Sequence, residues 1–579
     1  FLVVLTTHYP GWQVWVDGQA RPLLSLDGYL AVEMTPGVHK YEFAFRPSSF
    51  YLGLFISLVS LGVVIYLFVS GSWAFWRRFL AWLRLLPARL CLLLGELRHR
   101  RIRPPASWLP HPPQVIRAVF RQGTLYPEQT LTLPEEARLR LIVEEEALST
   151  KPLLCALRRW WWATLDLTGL LGRRVPLENA IFIAVLIVYL LTRVIALDRF
   201  PIYFLADEAS QTLYAQQLVE QGFRDHQGIW FPVYIEAAGA RWTPLISMYP
   251  HAVAFILFGK SIFVTRATSA LVSLLAVIAV AMILKNIFKV RYWWTGALLL
   301  SIAPAWLLHS RTAFETVMTT AFYGCFLYFY LLYRTRQPRF LAHALVFGAL
   351  TFYTYSNAQV IIVAAGLLLL ISDFPYHLKN WSTLLKSLPL AVLLALPWIV
   401  FTLHQPEALS THLHVVNSYW YTNIPLSEKI FIYIQKLAYG LSPQYWFLPN
   451  GQDLARHRFD NLGHIRLEVL PFMLVGLLIS LKNFRQSPYR AVIIAALVTP
   501  SGAALLDIGI PRLLAFVVPA SVLAGLGLNW ALGILGKRFS YKLLAISTFV
   551  VLVVANFSLL RVALTQGGLW FSDYGLYGM

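Results

Sequence analysis

Asp207 and Glu208 stand side by side directly after an apolar run at about 178–198, in the stretch Arg199-Phe-Pro-Ile-Tyr-Phe-Leu-Ala-Asp-Glu-Ala. Carboxylates at membrane depth are costly, so they usually have work to do. An ionised carboxylate can take a proton in general-base chemistry. An acidic pair also suits the start of a helix, here from Ala209 to Leu218, whose first turn favours negative charge. Other polar residues recur at the ends of apolar runs: His309, Arg311 and Glu315, then Tyr355 and Asn357, then Asp507 and Arg512. A guanidinium stays charged in an apolar cleft and can bind phosphate oxygens through two parallel hydrogen bonds. Arg311 and Arg512 can equally reach to the interface or pair with Glu315 and Asp507. His309 and His457 can donate hydrogen bonds or help hold a metal, or are plain polar residues at a membrane surface. His412 with His414 is too sparse for a metal site.

The elements that must position these residues follow from composition. With 579 residues, 58% hydrophobic, 15% aromatic and 13% charged, the chain is no soluble globule. It reads as a polytopic α-helical membrane protein. The 20 Trp and 28 Tyr suit interfacial belts, and the +20 charge fits cytoplasmic loops rather than nucleic-acid binding. Cys91, Cys155 and Cys325 match no metal spacing and read as packing residues.

The chain opens on Phe1 inside a strand-like run, with no signal peptide visible, so sequence is expected to precede it. Residues 1–47 predict a small β module, with hairpin signals at Pro10-Gly11, Asp17-Gly18 and Asp27-Gly28. Residues 51–70 predict a first span, and 73–175 a basic segment with surface-lying amphipathic stretches such as Trp73 to Leu94. Further spans are expected at about 178–198, 262–285, 292–308, 314–333, 340–355, 358–372, 385–403, 467–481, 490–506, 512–535 and 542–561. That makes about twelve. Anchoring the basic segment in the cytoplasm makes every later loop on that side basic: Lys285 to Arg291, Arg334 to Arg339, Lys379 to Lys386, Lys482 to Arg490, Lys537 to Lys542. The β module, loops 199–260 and 404–465, and nearly all the unusual polar residues then share the opposite, extracytoplasmic face, which suggests a polar cavity there.

Two resemblances attach to these residues. The Tyr-Pro-Gly-Trp turn, the Asp-Gly hairpin and the closing Phe-Arg-Pro of roughly the first 70 residues resemble the carboxy-terminal end of the bacterial YfhO-type membrane glycosylation proteins. Residues 176–579 resemble the C-type membrane glycosyltransferases, in the bacterial branch related to protein O-mannosyltransferases and the aminoarabinose transferase. The pieces that carry this are Asp207-Glu208-Ala209, Phe258-Gly259-Lys260-Ser261 with Arg266, Ser310-Arg311-Thr312-Ala313-Phe314-Glu315, Phe352 to Asn357, Asp453 with Arg456-His457, and Pro511-Arg512. The chain departs from the pattern at Ala358-Gln359, where such enzymes often carry Arg.

The second resemblance implies transfer of a hexosyl or pentosyl unit from a polyprenyl-phosphate-linked donor to a hydroxyl of a glycan, lipid or protein, at the outer face of a bacterial plasma membrane. Asp207 is then the expected base, with Glu208 orienting the acceptor or acting as base instead. Arg512 and Arg311 are the expected partners of the leaving phosphate, with Glu315, His309, Tyr355, Arg456 and His457 as further donor or substrate contacts. No cofactor is required by the pattern, and a divalent metal is compatible with it, as is a partner in a membrane complex. Tyr353, Tyr355, Trp420, Tyr421 and Trp446 can stack on sugar or isoprenoid, though most aromatics at this depth are belt residues. A transporter or flippase for a lipid-linked substrate would place polar residues near the bilayer midplane and often show repeats. A non-catalytic subunit would not need Asp207, Glu208, Glu315 and Arg512 together.

Overall fold

The computed structural model describes strands within residues 2–45, the strand pair 118–121 and 124–127, and residues 176–566 apart from 202–203, 205, 226–227 and 238–240. The expected span at 51–70 and the surface stretch Trp73 to Leu94 lie outside the described residues. The chain divides into two compact units, residues 1–50 with 176–579, and residues 51–175. In the second, β7 (Ala118–Arg121) and β8 (Thr124–Pro127) pair antiparallel.

Six strands precede them: β1 (Leu2–Thr7), β2 (Trp12–Val16), β3 (Gln19–Arg21), β4 (Leu24–Leu26), β5 (Tyr29–Val32) and β6 (Tyr41–Phe45). They form two three-stranded sheets, ordered β1-β5-β4 and β3-β2-β6. Asp17 and Gly18 join β2 to β3 with φ of 50° and 81°. Positive φ at both central residues is what a two-residue type I′ turn needs to match the strand twist. Val14, Val16 and Val32 bury one another between the sheets.

The helices run in chain order as α1 (Leu177–Val194), α2 (Ala206–Glu220), α3 (Met248–Phe258), α4 (Ile262–Met282), α5 (Thr295–Ser301), α6 (Pro304–His309), α7 (Glu315–Thr335), α8 (Phe340–Phe352), α9 (Ser356–Ser372), α10 (Phe374–Lys379), α11 (Trp381–His404), α12 (Ala408–Val415), α13 (Leu426–Gly440), α14 (Pro443–Phe447), α15 (Leu470–Lys482), α16 (Ser487–Leu497), α17 (Ile510–Leu513), α18 (Val517–Leu535) and α19 (Tyr541–Gln566). Among the described residues, six helical stretches are long and apolar enough to cross a membrane: 177–194, 262–287, 315–335, 381–404, 510–535 and 541–565. Four more apolar helices are shorter, at 248–258, 340–352, 356–372 and 487–497. The run expected as one span at 292–308 is instead two helices, because Pro304 forces Ala303 into extended backbone, ψ 119°. β9 (Tyr234–Ala237) and β10 (Arg241–Pro244) form a ribbon between α2 and α3.

Burial grades the bundle. The stretches 315–335 and 510–535 are enclosed along almost their whole length, whereas Ser387 is the one buried residue of α11. Where α15 meets α18 the backbones touch through small residues, as membrane helices without a hydrophobic drive between them require. A Cβ at Gly476 would lie 1.8 Å from the Leu523 carbonyl oxygen, and one at Gly527 would lie 1.9 Å from that of Phe472. Backbone cannot yield as a side-chain tip can. Gly527→Val is therefore expected to lower the melting temperature of the solubilised protein by many degrees, while Gly533→Ala, with open space around its Cβ position, leaves it near the parent.

At the end of α7 remote from Glu315, Asp373 receives Arg334 Nε (2.6 Å), Arg490 Nη2 (2.5 Å), the Tyr330 hydroxyl (2.6 Å) and Ser487 Oγ (2.9 Å). This fully partnered carboxylate ties α7, α9 and α16 together.

Candidate active site

The segment that carries Asp207 and Glu208 into α2 is held by two buried arginines. A helix leaves its last carbonyls without partners, and α1 solves this with Arg311. The terminal nitrogens of that guanidinium donate to the carbonyls of Thr192 (2.8 Å), Arg193 (3.0 Å), Ile195 (2.9 Å), Ala196 (3.0 Å) and Phe200 (3.0 Å). Positive charge there also suits the negative end of the α1 dipole. Arg266, from α4, donates to the Leu197 carbonyl (3.1 Å) and the Pro201 carbonyl (2.8 Å). Its other two nitrogens grip both oxygens of Glu208, at 3.0 and 2.9 Å. Glu208 is completely buried, and its Oε1 also accepts the Ala313 N–H at 3.0 Å.

Asp207 precedes Glu208 by one residue, roughly 100° around the helix, and its carboxylate is 59% exposed. Arg456 Nη2 lies 3.6 Å from its Oδ2. Arg456 in turn donates from Nε to His457 Nε2 (2.9 Å), and His457 Nδ1 meets His309 Nε2 (3.2 Å), with the two imidazoles near parallel and their centroids 5.2 Å apart. Burial holds His457 well below the usual histidine range, and the neighbouring His309, Arg456, His464 and Arg512 push the same way.

Glu315 opens α7 and receives Gln211 Nε2 at 3.2 Å. Gln211 sits one turn after Asp207 on α2, so both project from one face, and Ser247 Oγ holds its carbonyl oxygen at 3.0 Å. Tyr355 lies in the break between α8 and α9, where the charge of Arg512 acts on its hydroxyl; the Arg512 Nη1 itself donates to the Asp507 carbonyl at 3.1 Å. Burial pushes that hydroxyl up to about 12; Arg512 opposes the shift, and the charges of Glu315 and Asp207 add to it. Asp207, Glu315, Tyr355 and Arg512 thus share one electrostatic neighbourhood.

Two contacts hold the backbone around Arg512. Asn357 Nδ2 donates to its carbonyl at 2.8 Å. Buried Asp453 accepts the Ile510 N–H at 2.7 Å through Oδ1 and meets His464 Nε2 at 2.9 Å through Oδ2, pinning the start of α17 to the loop after α14. Burial alone would raise the Asp453 carboxyl, yet it is lowered, because His464, the Ile510 N–H and the Tyr445 hydroxyl all favour the anion.

Of the residues singled out in the sequence, the structure gathers Asp207, Glu315, Tyr355, Arg512, Arg456, His457 and His309 at one end of the bundle. Glu208 and Arg311 lie behind them, turned into the protein. Gln211 and His464 were not anticipated. Gln211 carried a usable signal, one helical turn from Asp207; His464 carried none, since its partner is set by the loop's path. Among the described residues, no three His, Cys, Asp or Glu side chains gather closely enough to hold a metal ion.

The arrangement pairs an accessible carboxylate with two guanidinium groups, an environment suited to proton removal beside a bound anion. No protein of curated function matches the sequence. Among solved structures, the chain is similar to ArnT from Cupriavidus metallidurans bound to undecaprenyl phosphate, with 15% identity over 70% of this chain and 74% of that one, TM-score 0.44. It is also similar to the archaeal oligosaccharyltransferase AglB from Archaeoglobus fulgidus in complex with an inhibitory peptide and a dolichol-phosphate, with 13% identity over 67% of this chain and 56% of that one, TM-score 0.41. Similarity at that level carries no functional weight. In sequence, residues 243–401, which include Arg311, Glu315 and Tyr355, match the dolichyl-phosphate-mannose-protein mannosyltransferase family.

Proposed function

We propose that this chain is an integral membrane glycosyltransferase that moves a sugar from a polyprenyl-phosphate-linked donor to an acceptor hydroxyl at the extracytoplasmic face of the membrane. The observation that carries the reading is Asp207: an exposed carboxylate at the head of α2, beside Arg456 and in the same neighbourhood as Arg512, Glu315 and Tyr355. The match of residues 243–401 to the mannosyltransferase family supports the reaction class.

In this mechanism Asp207 takes the acceptor hydroxyl proton as the oxygen attacks the anomeric carbon, and the bond from that carbon to the phosphate oxygen breaks. The electron pair leaves with the phosphate. Arg512 and Arg456 stabilise the charge that develops there, which fixed cations do without reorganising. Glu315, steadied by Gln211, orients the acceptor, and the Asp507 carbonyl holds one nitrogen of Arg512. Glu208 and Arg311 act by holding the segment that presents Asp207. A direct test incubates the purified chain in lipid with radiolabelled polyprenyl-phosphate sugars and follows release of the free polyprenyl phosphate. Donors that are bound but never cleaved in the presence of acceptors would favour a transporter of lipid-linked substrates.

Orientation is tested separately. The basic alternation of the loops puts residues 74–175 in the cytoplasm and 199–260 and 404–465 outside. Single cysteines at Arg100 and at Ser410, probed with a membrane-impermeant reagent in whole cells, are expected to be protected and labelled respectively. Equal labelling of the two would overturn the orientation.

A further inference from the structure

The histidine pair behind Arg456 has a direction built into it. His309 Nδ1 lies 2.8 Å from the Ala305 carbonyl oxygen, which can only accept, so the proton sits on His309 Nδ1. The other nitrogen of that neutral ring, Nε2, is then an acceptor, and His457 Nδ1 at 3.2 Å must donate to it. That leaves His457 Nε2 as an acceptor, facing the Arg456 Nε–H at 2.9 Å. Each contact holds one proton and both imidazoles are neutral. A proton added to either ring would set donor against donor. Burial disfavours that charge on His457, as do Arg456 and Arg512. Phe314, packed edge-on to His457 at 5.6 Å, and the near-parallel His309 ring bonded to its edge leave the imidazole little room to turn.

We infer that His457, braced by His309, is a positioning residue: its Nε2 fixes the guanidinium of Arg456 beside Asp207, at the place where the donor phosphate binds. The inference rests on reading Arg456 as a phosphate ligand. It needs no contact between either histidine and the substrate. Arginine holds several rotatable bonds, and without an acceptor behind Nε it would sample many arrangements at the cleft, at an entropic cost to each binding event.

The test is a double-mutant cycle on the full chain in lipid nanodiscs, with undecaprenyl phosphate as the probe and its Kd as the readout. His457→Phe keeps an aromatic ring and removes both hydrogen bonds. Arg456→Met removes the guanidinium. Each is expected to weaken binding about tenfold, the usual scale for losing a hydrogen bond to a charged group, and the double variant to bind no more weakly than Arg456→Met alone. His457→Gln, whose carbonyl can accept the Arg456 Nε–H, is expected to recover most of the affinity, which also reports on folding. Multiplied losses, about a hundredfold in the double variant, would show that the two residues act independently and overturn the positioning role. Parental binding by Arg456→Met would overturn it together with the phosphate assignment. The outcome does not depend on Asp207: an inert or a fully active Asp207→Asn chain decides the base assignment and leaves this cycle unaffected.

Discussion

Asp207→Asn is expected to cut turnover about 10²- to 10⁴-fold, the usual contribution of a positioned general base, while leaving donor binding close to the parental value. The amide is isosteric with the carboxylate, and Asp207 is exposed, its ion pair among the described residues being Arg456 at 3.6 Å, so the substitution removes a proton acceptor and little structure. Arg512→Ala should behave differently. It takes away a cation that touches phosphate in both the ground state and the transition state, so binding and turnover fall together. The two signatures separate a group that acts only as the proton moves from one that holds the donor throughout. A purified Asp207→Asn variant that turned over at the parental rate would remove the base assignment, and Glu315, a second carboxylate acting on Tyr355, would then be the next to substitute.

Arg266→Met is expected to be the most destabilising of the substitutions considered, by about 3–5 kcal/mol, because it strands the fully buried Glu208 carboxylate without its counter-charge. The carbonyls of Leu197 and Pro201 lose a donor at the same time. Combining Arg266→Met with Glu208→Leu removes both charges, and the double variant should recover part of the lost melting temperature, since an uncharged pair of similar volume has no desolvation penalty to offset. A double variant as unstable as Arg266→Met would mean that the lost carbonyl contacts dominate. Glu208→Gln, which keeps the shape but not the charge, should lower stability and activity in parallel. Activity lost at parental stability would instead mark Glu208 as a participant in the chemistry.

The contrast between these neighbours shows how far residue order can be read. Asp207 and Glu208 are equivalent on paper: two acids after an apolar run, both suited to a helix start and both able to accept a proton. One step around α2 separates a carboxylate facing the cleft from one clamped by Arg266, and which way the helix is rolled depends on what packs against it. Arg311 and Arg512 pose the same ambiguity. Each opens or precedes a span, yet the terminal nitrogens of Arg311 end on five carbonyls around the end of α1, and Arg512 Nη1 donates to the Asp507 carbonyl.

What the residues alone determine is the part governed by short-range rules. Long apolar runs must close their backbone hydrogen bonds within themselves, so α1, α4, α7, α11, α18 and α19 follow from hydropathy, and Asp17-Gly18 follows from the φ its turn demands. Pro304 splits a run that composition alone would count as one span. What only the tertiary structure decides is everything that rests on distance without sequence proximity. His309 and His457 are 148 positions apart and become one hydrogen-bonded pair, and Asp453 reaches 57 positions to the start of α17. Gly476 and Gly527 matter only because α15 and α18 cross where they do. A buried polar group needs a partner, but the sequence does not say which one, because any of several donors satisfies the same requirement until packing removes the rest.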